Sequence, residues 1–329
     1  MRVLWPHPFS PDLKNASVFM SPLVEPLQKM GVEVELFYIG AARNNPLAAI
    51  KVFFDLRKAA ASSDIVHAQY GSLCGLVAAF LPGRKIISLR GSDMYPVSVG
   101  PFKFRFHLMI SRLMTAIALP FYQRVVVMSN DMKRILTRDN AKRHVTTITD
   151  GIDLNLFTPG TRDIARERLG IDQNGKYILF TTLHDYNPVK RKYLAQAAVS
   201  VAQRKYPDVK ILMPVNVNHE EMVDYMNASN LSLITSTHEG WPNCIKESLA
   251  CNVPFVSTDV SDLREVAARN PSCKVVTAAD PELLGQAIVE VLEDNKPVGD
   301  LRGEVQSFEI HACAASLKSL YEALLAAEA

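Results

Sequence analysis

The chain has 329 residues, 36 Lys+Arg against 34 Asp+Glu, and 48% hydrophobic residues. That is long enough for two domains and apolar enough for real cores, which excludes a disordered chain; 15 glycines exclude a collagen-like or linker-rich one. The near-neutral total hides an asymmetry, since residues 1–158 carry 19 Lys+Arg against 11 Asp+Glu and the remainder 17 against 23. In chain order, Met1-Arg2-Val3-Leu4-Trp5-Pro6 reads as an opening strand, not a leader peptide. A helical stretch at 21–30 leads to strands at Val32–Ile39, Asp64–Ala68, Lys85–Leu89 and Arg124–Met128, with a helix at 131–137. Phe157-Thr158-Pro159-Gly160 reads as a linker. The pattern then starts again, with strands at Tyr177–Thr182, Val209–Pro214, Leu231–Thr235, Pro254–Thr258 and Lys274–Val276. Helices are expected at 192–205, 244–251 and 281–293, and 308–326 reads as one amphipathic helix expected to pack back across the junction. Strands of continuous β-branched residues alternating with helices predict parallel sheets covered on both faces. The predicted fold class is α/β with two Rossmann-like domains facing across a cleft, at 1–157 and 158–306, and a C-terminal helix at 307–329.

The five cysteines, Cys74, Cys244, Cys251, Cys273 and Cys313, are scattered and never C-x-x-C. Neither a disulfide framework nor a structural zinc site is expected, and the usage fits a cytoplasmic protein. The P-loop, G-x-G-x-x-G, G-x-S-x-G and H-E-x-x-H motifs are all absent, and no Asp-x-Asp pair offers itself to a metal. If this chain handles a phosphate, backbone amides and Lys/Arg must do it, with no metal expected and no cofactor.

Residues 236–262 carry the densest chemistry. A strand ends at Thr235, the chain turns at Gly240, and a helix is predicted to begin near Pro242, which suits a first helical position because its missing N–H would be unpaired there. The amides of Asn243, Cys244 and Ile245 would then point out of the helix start and make an anion site suited to a diphosphate. Glu239 stands just before that site and Glu247 one turn beyond Asn243, placed to accept hydrogen bonds from sugar hydroxyls.

The spacing Glu239…Glu247 within Glu-Gly-x-Pro-Asn-x-x-Lys-Glu-x-x-Ala-Cys-Asn-x-Pro-x-Val-Ser-x-Asp-Val resembles the retaining GT4-type glycosyltransferases of the GT-B fold. Supporting matches are Asp64-Ile-Val-His-Ala-Gln-Tyr-Gly71, Ser88-Leu-Arg-Gly-Ser-Asp93, Asp150-Gly-Ile-Asp153 with Phe157-x-Pro159, and Asn187-Pro-Val-Lys-Arg191. The resemblance implies that Glu247 binds the nucleotide ribose and that Glu239 meets the donor sugar at the reacting centre. It implies that Lys190 neutralises the departing diphosphate. The family's Gly-Arg pair is replaced by Thr182-Leu183, which passes the arginine role to Arg191. The plainer alternative for Lys190-Arg191-Lys192 is a solvated helix start, although cations there oppose the helix dipole.

In the first half, Arg90 stands where many relatives have a histidine; phosphate and acceptor binding are open to it, and a surface arginine is the equal alternative. Asp93 either orients Arg90 or caps its loop. His67 and Tyr70 lie at a strand's carboxyl end, where open α/β sheets bind ligands, and a satisfied buried histidine is the equal alternative for His67. Lys14 stands in the loop where relatives carry a Gly-Gly turn near the donor phosphates. Asp150, in place of the family's asparagine, reads as a turn residue.

Residues 101–130 contain no acid, and Lys103, Arg105, Arg112 and Arg124 interleave with Phe102, Phe104, Phe106, Leu108, Met109 and Ile110. Two readings stand: an interfacial helix on an anionic membrane, or a core helix with a solvated face. Nucleic acid is the weaker partner, because no recognised nucleic-acid module is present. The expected activity is transfer of a sugar from a nucleotide-sugar donor to a glycan or lipid-linked acceptor in cell-surface glycan or glycolipid biosynthesis. The expected location is cytoplasmic, peripheral on the inner face of the membrane. The rivals are a non-hydrolysing sugar-nucleotide epimerase and a catalytically silent nucleotide-binding scaffold of the same fold.

Overall fold

The computed structural model describes residues 1–10, 20–40, 46–138, 144–182, 187–215, 217–294 and 299–327. The chain divides into two compact units, Met1–Gly151 with Ile310–Ala329, and Ile152–Glu309. The first unit has strands β1 (Arg2–His7), β2 (Glu33–Tyr38), β3 (Ile65–Ala68), β4 (Arg84–Leu89), β5 (Arg124–Val127) and β6 (Val145–Thr147). They pair in parallel in the order β2-β1-β3-β4-β5-β6. Between them run α1 (Val24–Lys29), α2 (Pro46–Ala61), α3 (Ser72–Ala79), α4 (Phe102–Ala118) and α5 (Asn130–Arg138). Val3, Leu4 and Trp5, Ile86, Ile87 and Leu89, and Val125 to Val127 are all buried, because a strand covered on both faces cannot alternate apolar with polar residues.

Chain direction also sorts the helices. The step from β1 to β2 runs one way along the sheet, and the steps from β2 to β3, β4 and β5 run the other. Right-handed crossovers therefore place α1 on one face and α2, α3 and α4 on the opposite face. Helix α4 packs chiefly on α3.

The second unit repeats the plan. Its strands are β7 (Lys176–Leu179), β8 (Val209–Leu212), β9 (Leu231–Ile234), β10 (Phe255–Thr258) and β11 (Lys274–Val276), parallel in the order β11-β10-β9-β7-β8. Its helices are α6 (Arg162–Leu169), α7 (Lys192–Gln203), α8 (His219–Ala228), α9 (Asn243–Ala250), α10 (Leu263–Arg269) and α11 (Pro281–Glu293). The core joins Ile178, Leu231, Leu233 and Val256 of the sheet to Ala195, Ala198 and Val199 of α7 and Leu284 and Ile288 of α11. At Gly285 a Cβ would come within 2.4 Å of the Val201 Cβ and 2.8 Å of the Ala198 carbonyl, so a glycine lets α7 and α11 approach closely. The final helix, α12 (Ile310–Ala326), belongs to the first unit and packs with α1.

The sequence expectation placed the boundary at 157/158; the units divide at Gly151/Ile152. The linker-like stretch at 157–160 is held inside the second unit. Gly160 N–H donates to Asn227 Oδ1 at 2.8 Å, and the Arg302 guanidinium donates to the carbonyls of Leu154, Phe157 and Ala250. The chain leaves and returns at one place, because Ile152 N–H donates to the Phe308 carbonyl at 2.8 Å and Ile152 pairs with Glu309.

Candidate functional site

In the second unit β8 lies on one side of β7 and β9 on the other, so the loops leaving β7 and β9 diverge at a topological switch point. That is where open parallel sheets bind ligands. The loop after β7 ends in a single 3-10 turn, Pro188–Lys190, started by Asn187, whose side chain accepts from Val189 N–H at 3.1 Å. It is tied to the loop after β9. Thr235 Oγ1 donates to the Lys190 carbonyl at 2.6 Å, and Thr237 N–H donates to the Val189 carbonyl at 2.9 Å. Arg191, at φ 49°, sends Nε to the Thr235 carbonyl at 2.5 Å and a terminal nitrogen to Ser236 at 2.8 Å. Arg191 is thus a clamp between two loops, with its guanidinium pushed down by burial.

These ties bring Lys190 to Glu239. Lys190 Nζ donates to Glu239 Oε1 at 2.7 Å, and Ser236 Oγ donates to the same oxygen at 2.6 Å. Burial alone would lower the Lys190 ammonium, but the Glu239 carboxylate outweighs it and holds the group above its ordinary value. Both side chains keep some exposure, at 21% and 16%, so the pair borders solvent. The chain then turns through Gly240, whose carbonyl accepts from Ser261 Oγ at 2.7 Å, and Trp241 packs edge-on against Phe308.

Helix α9 starts at Asn243, with Pro242 as its N-cap and not its first residue. Ile245 N–H is turned back to the Pro242 carbonyl at 3.1 Å, which corrects the expectation of three outward amides and leaves those of Asn243 and Cys244 at the helix start. Asn243 Oδ1 is buried without a hydrogen-bond partner among the described residues. One turn on, Glu247 is half-buried, and its carboxyl is pushed up to about 7 by burial, against the lowering effect of Lys246. Cys244 is also pushed up, to about 11, by burial, so it is a neutral thiol beside the pair. Lys190, Glu239, Asn243 and Glu247 therefore share one neighbourhood: a fixed cation, a fixed carboxylate, a helix start and a carboxyl group whose pKa burial raises.

The first-unit residues are placed differently. His67 is 1% exposed, with Nδ1 2.7 Å from Tyr321 Oη and Nε2 2.8 Å from Ser88 Oγ. Trp5 Nε1 donates to the same tyrosine oxygen at 3.0 Å, so every polar group is satisfied if Tyr321 donates to Nδ1 and Nε2–H donates to Ser88. Burial, with Arg90 adding to it, pushes His67 down to about 3. It is a neutral core histidine, the second of the two readings. Asp93 is fully buried, and its oxygens accept from the amides of Gly71 at 2.8 Å, Gly91 at 2.9 Å and Arg90 at 3.0 Å. It caps the loop and does not touch the guanidinium.

Arg90 donates through Nε to the Gln69 carbonyl at 2.9 Å, through a terminal nitrogen to Gln69 Oε1 at 3.1 Å, and pairs with Asp150. Asp150 is therefore an ion-pair partner, which corrects its reading as a turn residue. Tyr70 is half-buried with its ring edge-on to Phe9. Lys14 and Leu183 lie outside the described residues. The sequence reading missed Thr235 and Ser236, which hold the Lys190–Glu239 arrangement; their one sequence signal is a Ser/Thr run directly after a strand.

Residues 186–294 match the model of the family described as Glycosyl transferases group 1, so that stretch of the second unit is similar to this family, in line with the resemblance in the sequence. That stretch contains Lys190, Glu239 and Glu247. The chain is 26% identical over 185 residues to the D-inositol 3-phosphate glycosyltransferase of Thermobispora bispora, covering 46% of this chain and 42% of that one. It is 24% identical over 227 residues to that of Mycolicibacterium smegmatis, covering 60% and 50%. The chain thus spans half or less of these curated relatives. Among solved structures it resembles sucrose-phosphate synthase from Thermosynechococcus elongatus, with a TM-score of 0.76 and 17% identity over 99% of this chain and 100% of that one. It also resembles Anabaena HepE in complex with UDP-glucose, with a TM-score of 0.72 and 17% identity over 98% and 100%. These likenesses show the fold, which is GT-B.

Proposed function

We propose that this protein is a glycosyltransferase that moves a sugar from a nucleotide-sugar donor to an acceptor hydroxyl, with retention at the anomeric carbon and without a metal. The observation that carries the reading is Glu239, fixed by Lys190 and Ser236 beside the start of α9, with Glu247 one turn further on. As the bond between the anomeric carbon and the diphosphate oxygen breaks, its electron pair leaves with the nucleoside diphosphate. Lys190 and the Asn243 and Cys244 amides meet that growing charge, preorganised where it develops. The acceptor oxygen bonds to the anomeric carbon, and its proton leaves on a phosphate oxygen. Glu239 contacts the donor sugar, and Glu247 accepts from the ribose hydroxyls. Arg191 contributes by holding the loops. HepE, solved with UDP-glucose, supports a nucleotide-sugar donor.

The acceptor is a glycan or lipid-linked hydroxyl compound bound by the first unit, as in cell-surface glycan or glycolipid assembly. Among the described residues no helix is long and apolar enough to cross a membrane. The basic, acid-free stretch 101–130 suits peripheral contact with an anionic membrane, which in turn suits the cytoplasmic face.

A thermal-shift screen against UDP-, GDP- and ADP-sugars, followed by transfer assays with and without EDTA, tests the reading. One donor is expected to stabilise the protein, and the product anomer should match the donor's. Nucleotide binding without transfer would make the protein a silent scaffold, conversion of the donor sugar to its epimer would make it an epimerase, and no binding by any nucleotide would overturn the site.

A further inference from the structure

Helix α4 is inside out relative to a core helix. The residues it buries are Ser111, Thr115 and Ala118, small side chains on the side that packs toward α3. On the opposite side Phe102, Phe106, Met109, Leu113 and Ile117 recur at steps of three and four, which is one stripe of a helix, and all five are exposed, Phe102 at 77%. That arrangement corrects the core-helix reading, in which the apolar residues would point inward. Phe102 and Phe106 stack on one another, and Phe121, just beyond the helix, packs on Phe80 at the end of α3.

Helix α2 repeats the inversion. It buries Leu56 and Ala60, and it exposes Leu47 (79%), Ile50 and Phe54 on the other side. Crossover handedness puts α2 and α4 on the same face of the sheet, so both exposed stripes point away from it in one direction. Exposed apolar patches of this extent mark interaction surfaces.

Charge decides the occupant. The two helices carry Lys51, Arg57, Lys58, Lys103, Arg105 and Arg112, all exposed, against the single carboxylate Asp55. Two copies of this face would set cations against cations, whereas an anionic lipid surface offers phosphates to the basic rim and acyl chains to the apolar stripes. Resting on the membrane reading above, we propose that α2 and α4 form a docking face anchored in an anionic bilayer by the inserted apolar stripes, with the cations as the attracting rim and not the anchor.

Two consequences separate this anchor from attraction by charge alone. Binding to vesicles of equal parts phosphatidylcholine and phosphatidylglycerol should persist in part at about 1 M salt, where the screening length is about 3 Å. The combined change Phe102→Ser, Phe106→Ser and Leu113→Ser should lower the vesicle partition coefficient at least about tenfold at low and high salt. Leu47→Ser with Phe54→Ser should lower it as well. Donor-induced thermal stabilisation, unchanged in these variants, reports that they fold. In Phe106→Trp the added indole should shift to the blue and be quenched by brominated lipid, whereas Glu25→Trp, on α1 and the opposite face, should not.

If the wild type fails to sediment with these vesicles, the membrane reading and the anchor fall together. If it sediments but the serine variants sediment equally and high salt releases both, contact by charge survives and the anchor is overturned. If the wild type dimerises in solution, the serine variants become monomers and neither binds lipid, the face is a self-interface and the proposal is overturned.

Discussion

At the scale of single residues, burial and pairing assign opposite tasks to similar groups. Folding raises Glu247 from about 4.5 to about 7 by burial, so its stabilising effect is complete below pH 4.5 and is lost as the pH rises through 7. His67 runs the other way: burial lowers it from 6.5 to about 3, so its contribution is complete above pH 6.5 and is lost as the pH falls. Between pH 5 and 7 the two slopes oppose each other. Glu247→Gln should remove one of them. Urea unfolding of that variant is expected to gain stability by about 2 kcal/mol from pH 5 to 7, with a flatter wild-type profile, while the variant's donor affinity falls. On the proposed mechanism the Lys190 charge acts mainly as the leaving group forms, so Lys190→Ala should lower kcat by about a hundredfold or more with a smaller change in KM, which steady-state kinetics checks. Asp150→Ala leaves the Arg90 guanidinium, with its side chain only 9% exposed, without its carboxylate. A loss of about 3 kcal/mol in unfolding free energy is expected, and Asp150→Asn should recover part of it by keeping an acceptor.

Among the elements, those with strong periodicity or β-branched runs were readable, and those lacking both were not. The strands at β1, β4, β5 and β9 and the helices α7 and α11 match their expected places within a residue or two. Helix α3 (Ser-Leu-Cys-Gly-Leu-Val-Ala-Ala) is too evenly apolar to show a period, because it is wedged between the sheet and α4. Helix α4 showed its period clearly, but a period does not say which side faces the protein. Between α7 and α11, Gly285 marks a contact that tolerates no side chain, so Gly285→Val should cost about 1–3 kcal/mol by overpacking against Val201. Thermal unfolding should show the loss, and Gly285→Ala, which sets only one carbon against the Val201 Cβ and the Ala198 carbonyl, should lose less.

Over the whole molecule, α12 returns to the unit that holds β1 and is structural there. Tyr321 of α12 accepts from Trp5 and pairs with His67, and Gly151 lies so close to Ile310 that a Cβ would meet its Cα at 2.7 Å. Truncation after Glu309 should therefore open the first unit to protease while the second, with its own core and the Lys190–Glu239 pair, survives as a resistant fragment seen by mass spectrometry. The sequence by itself determined the α/β class, the doubled plan and the segment 236–262 with its two glutamates, because strand composition, helical period and the Glu239…Glu247 spacing are local properties of the chain. Tertiary structure alone decided that His67 is a satisfied core residue, that Asp93 caps a loop, that Asp150 pairs with Arg90, and that the apolar stripe of α4 faces outward. Each of those depends on a partner distant in sequence or on a packing direction, and neither is encoded in the order of neighbouring residues.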